Sequence, residues 1–552
     1  MIHAVIRVTV LLITCLLAVS AGAQVLHVHP TGDDARPGTR EKPVRTIGRA
    51  VALVKPGGTV VVAGGVYRET IKMDVSGTAE KPVRLVAADK ETVVVTGTDV
   101  VRDWKEDPAG ESGDKIFSAP WPCRFITWNP VGTHPADDYH KLIGRAEQVL
   151  YLGVPLRQVL EKRLLTRGTF FADLEAKRLY MCAPDNVDLA KRKETVEATT
   201  RSTLLEVRGD WVEVRGIRFR YAANQAQQGA AQFLGNHIAV EDCIFEETNA
   251  SGASFRGQDI TVRRCVFEGN GQLGFGASRA HRLRVTDSVC RNNNVKGFDR
   301  QWEAGGNKVT LSRGVVFERS IFTGNRGTGI WFDIGNEDCE VRHCLIADNE
   351  DAGIFYEISY RLHAHDNVVV GNGLANTPGA WGANAGIALS SSVGCVLERN
   401  LLVGNREGLA FREQQRTTPR IDDKTEVPVW NHEHKIRNNL FAWNRDAQVW
   451  GWWDVERPVK ELRLTMCDNV YATRPGQGLF HWGVAWRNPQ KFASLADVQQ
   501  ALGLETGSAV HDIRFGETGR LDFRLPADSP VLQRRCYPTS IVPGAIMGTM
   551  QD

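Results

Sequence analysis

From about residue 236 the chain runs repeatedly through one pattern. A strand-like phrase such as "DCIF" (242–245), "RCVF" (264–267), "RSIF" (319–322), "HCLI" (343–346) or "DNVV" (366–369) leads into an Asn-containing turn, then a glycine, then a second short strand. Gly252, Gly274, Gly297, Gly329, Gly353, Gly386 and Gly408 mark the cycles, at steps of 22, 23, 32, 24, 33 and 22 residues. Four steps agree, and two are longer by about ten, as when a single coil carries a loop insertion. One repeat of this size cannot bury its own apolar face, whereas a stack of them can. Sandwiches and propellers repeat at about 10 and about 40 residues. The period therefore predicts an all-β chain wound as a right-handed parallel β-helix.

The flanks complete the plan. Residues 46–54 read as an amphipathic helix before a Pro-Gly-Gly turn, placed to cap the open end of the solenoid. The period lapses over residues 101–200, where "AEQVLYLGVPLRQVL" and "GTFFADLEAKRLYMCAP" read as hairpin strands of an inserted β-rich domain. The expected organisation is a leader at 1–23, cap and first coils at 24–100, the insertion at 101–200, the main solenoid at 201–480 and a closing segment at 481–552. The leader assignment rests on Arg7, the apolar run Val8 to Val19 and the Ala21-Gly22-Ala23 signal for cleavage. It implies a secreted or periplasmic protein, free of the membrane after processing. The net charge of +2 offers no field for nucleic acid.

Export invites a disulfide reading of the remaining cysteines. Cys243, Cys265 and Cys344, however, share one inward position with Ser288, Ser320, Asn367 and Asn400, and read as a stack of small side chains. Cys123 and Cys182, outside the repeat, are the better disulfide candidates. No Cys-x-x-Cys or His-Glu-x-x-His spacing occurs, so no metal site is expected.

The chemistry is expected at two related phrases, "GIWFDI" (329–334) and "GIFYEI" (353–358). Alternation puts Ile330 and Phe332 inside with Ile354 and Tyr356, and Trp331, Asp333, Phe355 and Glu357 outside. The fourth residue after each marker glycine then forms an outward column: Arg256, Ser278, Gln301, Asp333, Glu357, Ser390, Arg412. Coils stack at about 4.8 Å, so Asp333 and Glu357 should stand about 5 Å apart, the spacing of retaining glycosidases. Two acids so close push one pKa upward, which suits a general acid. Trp331 and Phe355 are expected to offer apolar faces to a sugar. The insertions, around "WEAGGNK" (302–308) and over 371–384, should wall a cleft. Trp302, Glu303, Lys308 and column residues Gln301 and Arg412 belong to that expected site.

In this order "WEAGGNK", "GIWFD" and "GIFYE" resemble the β-xylosidases of glycoside hydrolase family 120, secreted β-helix enzymes with an inserted β domain. The resemblance to the enzymes rests on about 60 residues; resemblance to the wider pectate-lyase-like β-helix class covers most of the chain. It implies that Asp333 is the nucleophile, Glu357 the acid/base and Glu303 an additional active-site acid. The chain departs from the family at "ISYR" (358–361), where a His-Gly pair is expected, and at Asn307 before the lysine. Xylose specificity is therefore not carried over.

The expected activity is hydrolysis of O-glycosyl bonds in a polysaccharide or oligosaccharide, without a cofactor. The alternatives are a lyase or epimerase acting on uronates, with Lys296, Arg300, Lys308 and Arg412 as possible bases and Ca²⁺ as an aid, and a non-catalytic glycan-binding solenoid. Polygalacturonase motifs are absent. Nothing in the sequence indicates the oligomeric state.

Overall fold

A computed structural model describes residues 23–107, 114–128, 134–191, 196–375 and 384–550. All of the expected leader except Ala23 lies outside them, as does most of the second expected insertion loop. Each coil folds as three short strands, and equivalent strands pair in parallel into three sheets of 13 strands. Sheet I runs from Val25–Val28 to Thr465–Cys467, sheet II from Gly65–Tyr67 to Ala509–Val510. Sheet III begins at Ile71–Met73, includes Ile330–Phe332 and Ile354–Glu357, and ends at Gln490–Phe492 in an antiparallel pair. The protein is thus a parallel β-helix, as the period requires.

The glycine and the asparagine of each cycle answer to one another. Asn293, Asn325, Asn349, Asn372 and Asn405 stack at one corner, each Nδ2 donating at 2.9 Å to the Oδ1 of the next. Each buried amide thereby finds the partners it needs. A Cβ on Gly329 would lie 2.7 Å from Asn349 Nδ2 and 2.8 Å from Gly353 O, so only glycine fits beside the ladder. Gly306 is hemmed in the same way, 2.3 Å from Gly329 O, whereas Gly297 has nothing near it. Leu273 pairs with Gly305, which sets Gly306 opposite Gly274. The marker of this coil is therefore Gly306, not the expected Gly297, and the steps become 32 and then 23.

The small-residue column is confirmed as a hydrogen-bonded stack. Cys265 N–H donates to Ser288 Oγ and Cys344 N–H to Asn367 Oδ1, at 3.1 and 2.9 Å. The described cysteines are all free, Cys123 and Cys182 included, which corrects the disulfide expectation. Burial raises both thiols, and different charges then act on them, Asp114 and Arg167 on Cys182 and Asp99 and Arg201 on Cys123.

Helix Ile47–Leu53 covers the first coils with Ile47, Ala50 and Val51, its N-terminus capped by the Thr46 side chain, which accepts from the Arg49 N–H. The far end is closed by helix Leu495–Leu502, which buries Val498. The tail then does more than close the end. Ile513, Phe515, Phe523, Val531 and Val542 run back over the outer face of sheet II, against Val368, Leu401 and Leu440. The insertion forms a five-stranded and a four-stranded sheet between Val93–Thr96 and Leu205–Val207. Ile71 nonetheless pairs directly with Leu205, and Val93 with Ile217, so the stack continues uninterrupted beneath it. A further excursion, the antiparallel hairpin Arg416–Pro419 and Glu426–Val429, follows sheet III strand Glu407–Arg412.

Candidate active site

Register places the acids. Val309 pairs with Phe332 and Phe332 with Tyr356, all inside, so the next residues, Thr310, Asp333 and Glu357, stand outward on successive coils. Glu357 pairs with Ser390 and Ser390 with Arg412. The observed column is Ser278, Thr310, Asp333, Glu357, Ser390, Arg412. Thr310 takes the place expected for Gln301, which lies exposed in the inserted turn, its N–H bonded to Asp299 Oδ1. The misplacement follows from the Gly297 error, because the extra residues precede the marker glycine.

Asp333 is held from two directions. Its Oδ1 accepts from the Ile334 N–H at 2.7 Å, and its Oδ2 lies 3.0 Å from Lys308 Nζ. Glu357 is buried, with Oε1 at 3.5 Å from Arg412 Nη1 and 3.9 Å from Arg416 Nη1. Burial, and after it the Asp333 charge, push the Glu357 carboxyl above its ordinary value. Arg412, Arg416 and Lys308 pull it back, in that order. The same burial lowers the Arg412 guanidinium.

Trp331 and Phe355 do point away from the lumen, but they are not exposed: 2% and 3% of each surface remains accessible. Ala352, Ala385, Ala388 and Ala410 pack with them in a small core outside the solenoid. Lys308 Nζ lies 4.1 Å over the Trp331 ring and the Arg412 guanidinium 5.6 Å over that of Phe355. The aromatic pair is therefore a floor under the two cations that address the acids, rather than the open sugar platform expected. Trp302 is the exposed aromatic, 52% accessible, 5.7 Å from the Trp128 ring of the inserted unit, and its carbonyl accepts from Lys308 Nζ.

Glu303 has both oxygens engaged. Its Oε1 lies 2.7 Å from His134 Nε2, and its Oε2 accepts from Gln272 Nε2 at 3.1 Å. His134 comes from the inserted unit and stacks on Trp128 at 3.8 Å. Burial pushes the Glu303 carboxyl up, and the His134 contact opposes this. The structure thus gathers Asp333, Glu357, Lys308 and Arg412, with Trp331 and Phe355 beneath them; Glu303 pairs with His134, beside the Trp302 whose carbonyl Lys308 contacts, and Gln301 lies in the exposed turn.

Concavities lie on both sides of the pair. One of about 290 Å³ is lined by Lys308, Thr310, Ser278 and Gly276, and a Cβ on Gly276 would meet open space. The other, about 560 Å³, is bounded by Arg416, Trp430, Asp454 and Arg457 under the hairpin. Arg416, Thr310 and His134 were not expected from the sequence. Among the described residues, the carboxylates and imidazoles close enough to share a metal ion are Glu340, His363 and His365 on strands of sheet I, with His343 and Asp366 just after those strands.

One family model and one solved chain agree with this fold. Residues 229–406 match the family described as right handed beta helix region, and residues 30–75 a protein family of unknown function, DUF1565. A solved chain described as the complex structure of XylC with xylose superposes with a TM-score of 0.62 at 16% identity, covering 83% of this chain and 85% of that one. A second, described as glycoside hydrolase, gives 0.45 at 13% identity, covering 89% and 96%. The uncharacterized protein YwoF of Bacillus subtilis (strain 168) is 38% identical over 90 residues, which are 16% of this chain and 19% of YwoF. The chain thus spans under a fifth of that curated relative.

Proposed function

We propose that the protein is an exported, carbohydrate-active β-helix enzyme, a retaining glycoside hydrolase with Asp333 as nucleophile and Glu357 as acid/base. The observation that carries this is the buried Glu357, raised by burial and by the acid one coil away. One strand spacing, about 4.8 Å, separates the two backbones, which suits the retaining separation of about 5–5.5 Å. In the first step an Asp333 oxygen attacks the anomeric carbon while Glu357 passes its proton to the departing oxygen. In the second, the Glu357 carboxylate takes a proton from water, whose oxygen displaces Asp333. Lys308 and the Ile334 N–H aim Asp333, and Arg412 and Arg416 accompany Glu357 as it loses its charge-neutral form. Fold likeness to a xylose-bound chain supports a glycan substrate. The Val8 to Val19 run supports export, checked by the N-terminus of the secreted chain.

The test is a panel of aryl glycosides, with NMR of the first anomer released. Retention, and azide rescue of Asp333→Ala and Glu357→Ala, are expected; an inverted first product discards the mechanism. Three cations around the pair favour a second reading, lysis of a uronate with Lys308 as base. An unsaturated product formed equally well by Glu357→Gln would select it.

A further inference from the structure

Sheet I carries on its outer face a cluster that the acid pair does not use. Glu340 pairs with His363 across two coils, and Arg342 with His365. Ala364, between the histidines, is buried in the lumen, so alternation throws both imidazoles outward. Their ring centroids are 4.2 Å apart, and Glu340 Oε1 is 3.0 Å from His365 Nε2. One ligand atom from each of Glu340, His363 and His365 lies within 4.8 Å of the others.

The remaining nitrogen of His365 is already occupied. Nδ1 lies 2.6 Å from Asp366 Oδ2, and Asp366 is itself fixed by Arg399 Nη2 at 2.9 Å and by the Thr539 N–H at 2.7 Å. A carboxylate on one imidazole nitrogen selects the tautomer whose other nitrogen carries a free lone pair, and it orients the ring toward a metal. Two imidazoles and a carboxylate are the donor set of zinc and its neighbours in the first transition row. The charges facing the cluster are balanced locally. Arg342 contacts Glu340 and Glu318, and Arg399 and Arg437 contact Glu398, which lies 3.2 Å from His363 Nε2. A bound ion would replace the Glu340–His365 and His363–Glu398 contacts, leaving the arginines their other carboxylates.

We propose that Glu340, His363 and His365 form a site for one divalent transition-metal ion, with Asp366 as the positioning residue, stapling adjacent coils of sheet I. The full processed chain, dialysed against zinc chloride, is expected to retain one equivalent and to melt at a higher temperature than the chelator-treated protein. His363→Ala, at a half-exposed position, should lose that equivalent, and Asp366→Asn should weaken it by about 10–100-fold. His140→Ala, distant in the inserted unit, should change nothing. Cobalt bound to the unmodified chain should give the visible absorption of a low-symmetry site, unlike the aqueous ion. Failure of the unmodified chain to retain zinc, or retention unchanged in His363→Ala, overturns the proposal.

Discussion

Glu303 and Glu357 are both buried acids that burial pushes upward, and they sit in opposite settings. Glu303 has both oxygens engaged, by His134 and Gln272, under a stacked Trp128 where the inserted unit meets the solenoid. Glu357 has two long contacts to arginines and a second acid beside it. Burial raises a carboxyl in either place, but the partners decide whether its proton can be passed on. A closed pair stiffens an interface. A carboxyl with loose cations and a like-charged neighbour can cycle between its two forms.

The sharpest way to break this contrast is substitution at each acid. Asp333→Asn and Glu357→Gln should each lower kcat on an activated glycoside by about 10²–10⁴-fold, with melting temperature little changed. Glu303→Gln should keep kcat within about tenfold, a bound well below that general acid–base contribution. An equal loss in a well-folded Glu303→Gln chain would place Glu303 in the chemistry and erase the distinction.

The reciprocal effect belongs to stability. His134→Ala leaves one oxygen of the buried Glu303 without its partner and should cost about 1–3 kcal/mol in denaturant unfolding. A cost near zero would mean that the pair is not what holds the interface.

The pH profile sharpens the contrast further. Arg412 lowers the Glu357 pKa, so Arg412→Met should raise it. With Glu357 as the proposed general acid, activity requires its protonated form and falls as pH climbs through its pKa, so the alkaline limb should move to higher pH. A limb that stays put in Arg412→Met would assign it to another group. The smallest effect is expected at Trp302→Ala, a rise of a few-fold in KM with kcat held, as for an exposed aromatic that touches substrate without joining the reaction.

Much of this was legible in single residues. Gly329 and Gly353 are required by the asparagine ladder, and a two-residue alternation counted from them puts Asp333 and Glu357 on one face. The same counting failed at Gly297, because only the packing against Gly329 O and Asn325 identifies Gly306 as the residue without room for a side chain. The outward direction of Trp331 and Phe355 could be read, but their burial could not, since it depends on residues from neighbouring coils. Nor was there a signal for the hairpin that brings Arg416 to Glu357, or for the reach of His134 to Glu303.

The sequence by itself determined the solenoid, its period and the order of its acids, because strand alternation and corner sterics act over a few residues and repeat. Tertiary structure alone decided which cations meet which carboxylates, which aromatics are covered and how the tail folds back. Those contacts join residues far apart along the chain, and their energies depend on burial, which no local pattern encodes.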